Sequence, residues 1–130
     1  MHLTALVTLT SLLYYASIGA AVAKARSRCK IAAPATTGDP AFERIYRVQM
    51  NTLEWLPIYI PCLWLFGFFV SDVGAAALGL VWIFGRYLYK KGYVEAPEKR
   101  GRGFTIQATA TAVLLIGAAF DIVFRMITGQ

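Results

Sequence analysis

A polar segment, ERIYRVQMNTLEW at residues 43–55, runs directly into the apolar stretch LPIYIPCLWLFGFFV at residues 56–70. Four of its side chains recur at the spacing i, i+3, i+7, i+10, and we call them the polar stripe: Arg44, Arg47, Asn51 and Glu54. On a helix that turns about 100° per residue, they share an arc of about 80°. Polar groups at membrane depth are costly, so the polar stripe predicts a partner or a ligand.

The chemistry of the polar stripe matches the functional groups of a small peptide. Two guanidinium groups can hold carboxylates, an amide can hydrogen-bond a peptide bond, and a carboxylate can hold an ammonium group. Self-pairing is the alternative, with Glu43 on Arg47 and Arg47 on Glu54. It leaves Asn51 without the hydrogen-bond partners that a dry setting demands, so a polar ligand is the better explanation. Gln49 points nearly the opposite way from the stripe.

A second polar face is expected near the end of a later apolar block. It consists of Arg86, Tyr89, Lys90 and Tyr93 at i, i+3, i+4, i+7, with Pro97 and Arg100 beyond it. Tyrosines at a membrane boundary most often act as interfacial anchors, and that remains the alternative interpretation. If a short hairpin sets this face beside the polar stripe, the two would form one site.

The composition requires a membrane environment for the elements that carry these faces. Of the 130 residues, 58% are apolar and 15% are charged, which leaves too little polar surface for a soluble domain of this length. The apolar residues form four blocks, 3–23, 53–70, 73–89 and 104–127. About 20 helical residues cross the ~30 Å hydrocarbon layer. We therefore predict an all-α integral membrane bundle of four transmembrane helices, one domain over residues 1–130, with the second helix beginning near Phe42.

The charge distribution predicts how the bundle is oriented. The net charge of +6 includes thirteen Lys and Arg residues, of which all but Arg125 fall in two clusters. One cluster is Lys24, Arg26, Arg28, Lys30, Arg44 and Arg47, and the other is Arg86, Lys90, Lys91, Lys99, Arg100 and Arg102. With four spans both clusters share a side, which the positive-inside rule places in the cytoplasm with both termini outside. A ligand would then enter from the cytoplasm, and nucleic-acid binding is disfavoured. The short termini are typical of a bacterial inner-membrane protein.

The first block could also be a cleaved signal peptide, because Ala21-Val22-Ala23 has the small residues of a cleavage site. However, the preceding region offers only His2 as a basic residue, and the apolar run is longer than usual. We therefore predict a retained span. Cys29 and Cys62 lack a CxxC spacing or a histidine partner, so neither a metal site nor a disulfide framework is predicted.

The connections between the blocks differ in length. Asp39-Pro40 predicts the start of the second helix, and Ser71-Asp72 predicts a short hairpin that makes the second and third helices antiparallel neighbours. The third connection is predicted to be a charged loop over residues 92–103, with Pro97 in its middle.

Two segments, PATTGDPAFERIYRVQMNTLEWLPIYIPCLW and GAAALGLVWIFGRYLYKKGY, resemble the family of membrane-associated proteins in eicosanoid and glutathione metabolism. Within it they are most similar to the leukotriene-C synthase and microsomal glutathione transferase branch. The pattern E-R-x-x-R-x-Q-x-N-x-x-E carries most of the resemblance, which covers residues 25–103. It implies a homotrimer of four-helix bundles that binds glutathione as co-substrate, without a metal, between subunits near the cytoplasmic face.

The resemblance also implies a role for individual residues. One subunit would hold glutathione through Arg47, Asn51, Glu54, Tyr89 and Tyr93. Gln49 and Arg26 would reach the glutathione held mainly by a neighbouring subunit. Arg100 falls where the family places the arginine that activates the thiol.

Two positions depart from leukotriene-C synthase. Trp55 stands where that synthase has tyrosine, which removes a hydroxyl from the glutathione site, and Ser27 stands where it has a second arginine. The resemblance therefore implies a glutathione transferase or peroxidase acting on lipophilic electrophiles or lipid hydroperoxides, rather than leukotriene synthesis.

Two other classes of protein remain as alternatives. One is a non-catalytic membrane scaffold of the same family that binds lipid or glutathione. The other is a small four-helix exporter, which would carry an acidic residue in its first span, and residues 3–23 contain none. Asp121 could serve an exporter as a proton site, but its spacing from Arg125 predicts a local ion pair instead.

Overall fold

The computed structural model describes residues 1–129, and it is helical throughout with short connections; Gln130, the last residue of the predicted domain 1–130, lies outside the described residues. The helices are α1 (His2–Cys29), α2 (Pro40–Phe69), α3 (Asp72–Glu95) and α4 (Gly101–Thr128), with a short 3₁₀ helix at Pro97–Arg100 before α4. The predicted all-α four-helix class is confirmed.

The start of α2 and the hairpin after it follow the predicted capping signals. Asp39 caps α2 by accepting hydrogen bonds from the backbone N–H groups of Ala41 and Phe42, at 2.8 and 3.1 Å. The bond from Phe42 and another from the Cys29 thiol hold the pKa of the Asp39 carboxyl below its ordinary value. Ser71 caps α3 by accepting from the N–H of Gly74 at 3.0 Å. Since α2 ends at Phe69 and α3 begins at Asp72, the predicted hairpin is confirmed.

One predicted boundary is wrong because charged residues continue the helices. The helix α1 also runs past its apolar block, to Cys29. The third connection is not a loop over residues 92–103, since α3 continues to Glu95 and α4 begins at Gly101. Only Ala96, the residue before Pro97, is extended (φ −157°, ψ 130°), as the proline ring requires of its predecessor. A helix can continue through charged residues at the membrane surface. In this connection the helical backbone is therefore interrupted only next to proline.

Three helical stretches are long and apolar enough to cross a membrane, namely α1, α2 and Pro97–Thr128. The helix α3 has 24 residues, enough in length, but it is more polar because Arg86, Lys90 and Lys91 lie in its second half. Composition thus supports three of the four predicted spans. The outer surface is strongly apolar, with Leu13 and Phe68 each 71% exposed.

Aromatic stacking and small residues hold the helices together. The rings of Tyr59 and Trp82 are parallel, with centroids 3.9 Å apart and 3° between planes. The Tyr59 hydroxyl lies 3.0 Å from the Ser11 hydroxyl. Tyr59 of α2 therefore contacts both Ser11 of α1 and Trp82 of α3. Gly79 provides the space for this arrangement, since a Cβ there would lie 2.9 Å from the Tyr59 oxygen.

The end of the bundle that carries both termini is closed by ionic contacts. The N-terminal ammonium lies 3.0 Å from Asp72, which also accepts from the Thr4 N–H at 2.8 Å and from the Thr4 hydroxyl at 2.7 Å. Asp121 and Arg125 form the predicted local ion pair at 2.5 Å. Because Asp121 is neutralised by this contact, the structure gives no support to an exporter.

The opposite end carries both basic clusters, and close packing of α3 on α4 sets its geometry. A Cβ on Gly103 would lie 2.6 Å from the Gly85 carbonyl oxygen and closer still to the Tyr89 nitrogen, and a Cβ on Gly85 would lie 2.7 Å from the Gln107 nitrogen. The two backbones can approach this closely only because both positions lack a side chain. This approach holds the start of α4, and Arg100 just before it, against the end of α3.

Candidate functional site

The polar stripe opens onto a cavity at the end of the bundle that carries the basic clusters. The cavity has a volume of about 460 Å³, within the range of small-molecule sites. Its lining combines arginine, carboxylate and phenol groups: Thr36, Pro40, Glu43, Arg44, Tyr46, Arg47, Tyr93 and Pro97. Residues from the start of α2 and the end of α3 thus meet as the sequence predicted.

A chain of polar contacts runs from this cavity into the bundle. Arg47 lies 3.7 Å from Glu54, and both side chains are 56% exposed. The Asn51 amide nitrogen donates to Glu54 at 3.4 Å, and its amide oxygen accepts from Arg86 at 3.2 Å. The Arg47–Glu54 contact of the self-pairing alternative is therefore present, and the expectation that self-pairing leaves Asn51 without partners is wrong, because Asn51 hydrogen-bonds to Glu54 and Arg86. The charged groups of Arg47 and Glu54, at the outer end of this series of contacts, remain accessible to a ligand.

The predicted pairing of Glu43 with Arg47 is wrong. Within residues 1–129, Glu43 instead accepts a hydrogen bond from the backbone N–H of Gly38 at 2.9 Å. Gly38 has φ +130°, which turns its N–H back towards the start of α2. Arg47 therefore pairs with Glu54 and lines the cavity.

Arg86 is fully buried, which the sequence interpretation did not foresee. Its exposure is 0%, and no acidic side chain in residues 1–129 forms an ion pair with it. It donates to Asn51 and, at 2.5 Å, to the Thr52 hydroxyl, and its guanidinium lies 4.2 Å from the centroid of the Tyr89 ring. The sequence places Arg86 both among the basic residues that orient the protein and on the second polar face. The available signal was its place inside an apolar run, where a charge requires buried partners.

Tyr93 and Arg100 form an aromatic and cationic surface, and Tyr89 lies buried behind Tyr93 and is 3% exposed. The rings of Tyr89 and Tyr93 have centroids 5.6 Å apart, and the Arg100 guanidinium lies 5.6 Å from the Tyr93 ring. Arg100 donates to the Pro97 carbonyl oxygen at 3.2 Å. Since Tyr93 and Pro97 both line the cavity, Arg100 lies at its rim.

Three other predicted residues lie outside this group. Arg26 donates to the Ala35 carbonyl oxygen at 2.6 Å, and its guanidinium lies 4.7 Å from the centroid of the Phe42 ring. Gln49 lies against α1, with its amide nitrogen 3.2 Å from the place of a Cβ on Gly19. Trp55 makes an edge-to-face contact with Phe104 at 5.7 Å, which is a packing role. Within one chain, the predicted residues therefore divide into two sets.

Comparison with known proteins agrees with this architecture. The model of the MAPEG family matches residues 4–120. The chain belongs to the MAPEG family.

Named relatives of this MAPEG protein come from animals and from a cyanobacterium. Human microsomal glutathione S-transferase 2 is 48% identical over 98 residues, which cover 75% of this chain and 67% of that protein. Bovine leukotriene C4 synthase is 35% identical over 128 residues, covering 98% of this chain and 85% of that protein. An uncharacterized protein of Synechocystis sp. is 41% identical over 122 residues, covering 94% and 89% respectively.

These matches make the MAPEG protein an integral membrane protein with glutathione-using relatives. Among residues 1–129, no group of three or more His, Cys, Asp or Glu side chains is arranged to hold a metal ion. The polar side chains that line the cavity are arginine, glutamate, tyrosine and threonine, which bind organic ions.

Proposed function

We propose that this protein is a membrane glutathione transferase that activates the glutathione thiol for attack on lipophilic electrophiles or lipid hydroperoxides. The observation that carries the proposal is the contact chain Arg47–Glu54–Asn51–Arg86 beside a cavity of about 460 Å³. Glutathione has two carboxylates, one ammonium group and two peptide bonds. The cavity presents cations and a carboxylate at its mouth and phenols on its wall, which suits each of these groups.

Each group would act on a different part of glutathione. The Arg47 guanidinium would hold a carboxylate, and Glu54 would hold the ammonium group. The Asn51 amide, with its oxygen fixed by Arg86, would present its N–H to Glu54 and to a peptide carbonyl. Tyr89 and Tyr93 would line the path of the peptide towards Arg100.

Arg100 would act on the thiol. A free thiol has a pKa of about 8.5, and a nearby cation lowers it by stabilising the thiolate, which is the nucleophile. The proton leaves to solvent, and the thiolate attacks an electrophilic carbon to form a thioether while the bond from that carbon to its leaving group breaks and the leaving group takes the electron pair. With a hydroperoxide, the thiolate attacks the outer oxygen and the O–O bond breaks; a second glutathione then completes reduction to alcohol, water and glutathione disulfide.

The two sets of residues support a trimer in which neighbouring subunits share each site. Arg26 and Gln49 do not line the cavity that Arg47 and Tyr93 line. Gln49 lies against α1, and the Arg26 guanidinium lies over the Phe42 ring. In the assembly we propose, they contact the glutathione held by the adjacent subunit. We propose further that the basic end faces the cytoplasm, where glutathione is abundant.

A near-ultraviolet difference titration with glutathione at neutral pH, on detergent-purified protein, tests the proposal without a second substrate. We expect a saturable thiolate absorbance. Saturable glutathione binding without thiolate would instead identify a non-catalytic binder, and absence of binding to folded protein would refute both.

Replacing Glu54 with alanine should weaken glutathione binding about tenfold to a hundredfold, because the ligand ammonium loses a charge-assisted hydrogen bond. The dissociation constant is measured by isothermal titration calorimetry. Glu98→Ala removes an exposed acid at the same end of the bundle and serves as the control. Equal affinities in the Glu54 and Glu98 variants would contradict the role of Glu54.

Replacing Arg86 with methionine should weaken glutathione binding about tenfold while the protein still folds. Methionine fills a volume similar to that of arginine and carries no charge, so burying it at this position should cost little folding free energy. The Asn51 oxygen, however, loses its donor and the amide its fixed orientation. Calorimetry gives the affinity, and Arg125→Met, the same change at the other end of the bundle, is the control. An unchanged affinity in folded Arg86→Met would show that Asn51 needs no such support.

A further inference from the structure

A groove distinct from the glutathione cavity lies at the same end of the bundle, between α1, the start of α2 and the end of α3. Its volume is about 280 Å³, and three cations line it, namely Lys24, Arg28 and Lys90. The rest of its lining is apolar: Ala21, Ala25, Ala41, Ile45 and Val94. Small alanine side chains leave the depression open, and the cations stand around an apolar floor.

A second depression of about 320 Å³ adjoins this groove. It is lined by Tyr87, Lys90, Lys91 and Val94, so that Lys90 and Val94 line both spaces. Tyr87 lies one turn from Lys90 towards the membrane interior and is 50% exposed. The combined surface therefore leads from a cluster of cations down the apolar outer face of α3.

The cations of this groove have little internal compensation. Lys24, Lys90 and Lys91 form no ion pair or hydrogen bond with residues 1–129. Two carboxylates act on these cations. Asp39 acts on Arg28, but its oxygen is engaged at the start of α2. Glu95 acts on Lys91, but its carboxylate is paired to Lys99. No carboxylate lines either depression. The three lysines are thus free to bind an external anion.

We propose that this groove binds the headgroup of an anionic phospholipid, with the acyl chains along Tyr87 and the outer face of α3. Three features fit that ligand: uncompensated cations, an apolar floor, and a position where the apolar runs of α1 and α3 end. Basic pockets between helices at a membrane surface suit such headgroups. A free phosphate would use the lysines but not the apolar surface. The site is independent of glutathione, so it holds whether or not the proposed transferase activity does.

The test uses the full-length protein, delipidated in an uncharged detergent, and native mass spectrometry to measure dissociation constants of dioleoyl phosphatidylglycerol and dioleoyl phosphatidylcholine. We expect wild type to bind phosphatidylglycerol at least about tenfold more tightly. The double variant Lys24→Gln/Lys90→Gln should lose this preference. The control Lys30→Gln/Arg102→Gln removes the same charge at the same end but outside the groove, and should keep it.

Three results would overturn the proposal. Equal affinity of wild type for the two lipids would show that the groove does not select anionic headgroups, and this comparison needs no variant. Equal losses in both double variants would show that only the overall surface charge attracts the lipid. Displacement of phosphatidylglycerol by millimolar inorganic phosphate would show a free-anion site instead.

Discussion

Replacing Arg100 with alanine should abolish most thiolate formation while leaving the fold intact. Arg100 is exposed at the rim of the cavity, where it lies near the Tyr93 ring and donates to the Pro97 carbonyl oxygen, so its removal costs little packing. A cation beside the thiol lowers the thiol pKa, and we expect its loss to raise that pKa by about two units. The thiolate would then appear near pH 8.5 instead of near pH 6.5, and its fraction at pH 7 would fall on the order of twentyfold.

The measurement is a pH titration of thiolate absorbance in the glutathione complex, together with the initial rate of conjugation to an electrophilic aromatic substrate. Arg102→Ala removes a neighbouring exposed arginine and should leave both quantities unchanged. Glutathione affinity in Arg100→Ala should change much less than the rate, because the peptide's other contacts remain. A folded Arg100→Ala protein with the wild-type thiolate titration would exclude Arg100 as the activating group.

Replacing Gly103 with alanine should destabilise the bundle more than any other single methyl addition discussed here. The new Cβ would overlap the Tyr89 nitrogen and lie 2.6 Å from both the Tyr89 Cα and the Gly85 carbonyl oxygen. These are backbone atoms of α3, which cannot rotate away, so the two helices must separate. We expect a loss of about 3 kcal/mol and a fall in melting temperature on the order of 10 °C.

Gly101→Ala is the matched control for this prediction. Gly101 lies two residues earlier with helical dihedral angles (φ −55°, ψ −43°), and a Cβ there would meet nothing within 4 Å. Replacing Gly101 with alanine should therefore stabilise the folded protein slightly, because alanine reduces the conformational freedom of the unfolded chain. Thermal unfolding in detergent, followed by circular dichroism, distinguishes the two variants. Equal melting temperatures would mean that α3 and α4 are not in the close contact described.

Separating α3 from α4 should also move Arg100 away from Tyr93, since Gly103 holds the start of α4 in place. In the Gly103 variant we therefore expect weaker thiolate formation even at temperatures where the protein remains folded. Gly103 follows Arg100 by three positions in the chain, so a change at this packing position should reach the proposed site.

The residue pattern alone determined the helical class, the capping at Asp39 and Ser71, and the alignment of the polar stripe. These features follow from local rules: apolar runs of sufficient length, short polar side chains before a helix, and side chains repeating about every 3.6 residues. The Asp121–Arg125 pair was also predictable, because its i,i+4 spacing on one helix is favourable. Arg47 and Glu54 lie two turns apart on the same face of α2, which makes their contact possible.

Only the tertiary structure decided which polar groups are buried and which helices meet. Arg86 differs from Lys90 by one helical turn, yet Arg86 is fully enclosed and Lys90 lines an open groove. Likewise, Gly103 and Gly101 are alike in sequence context but only Gly103 faces the α3 backbone. Burial and close approach depend on how helices distant in the chain rotate about their axes, and that rotation is set by the packing of the whole bundle, which no local pattern specifies.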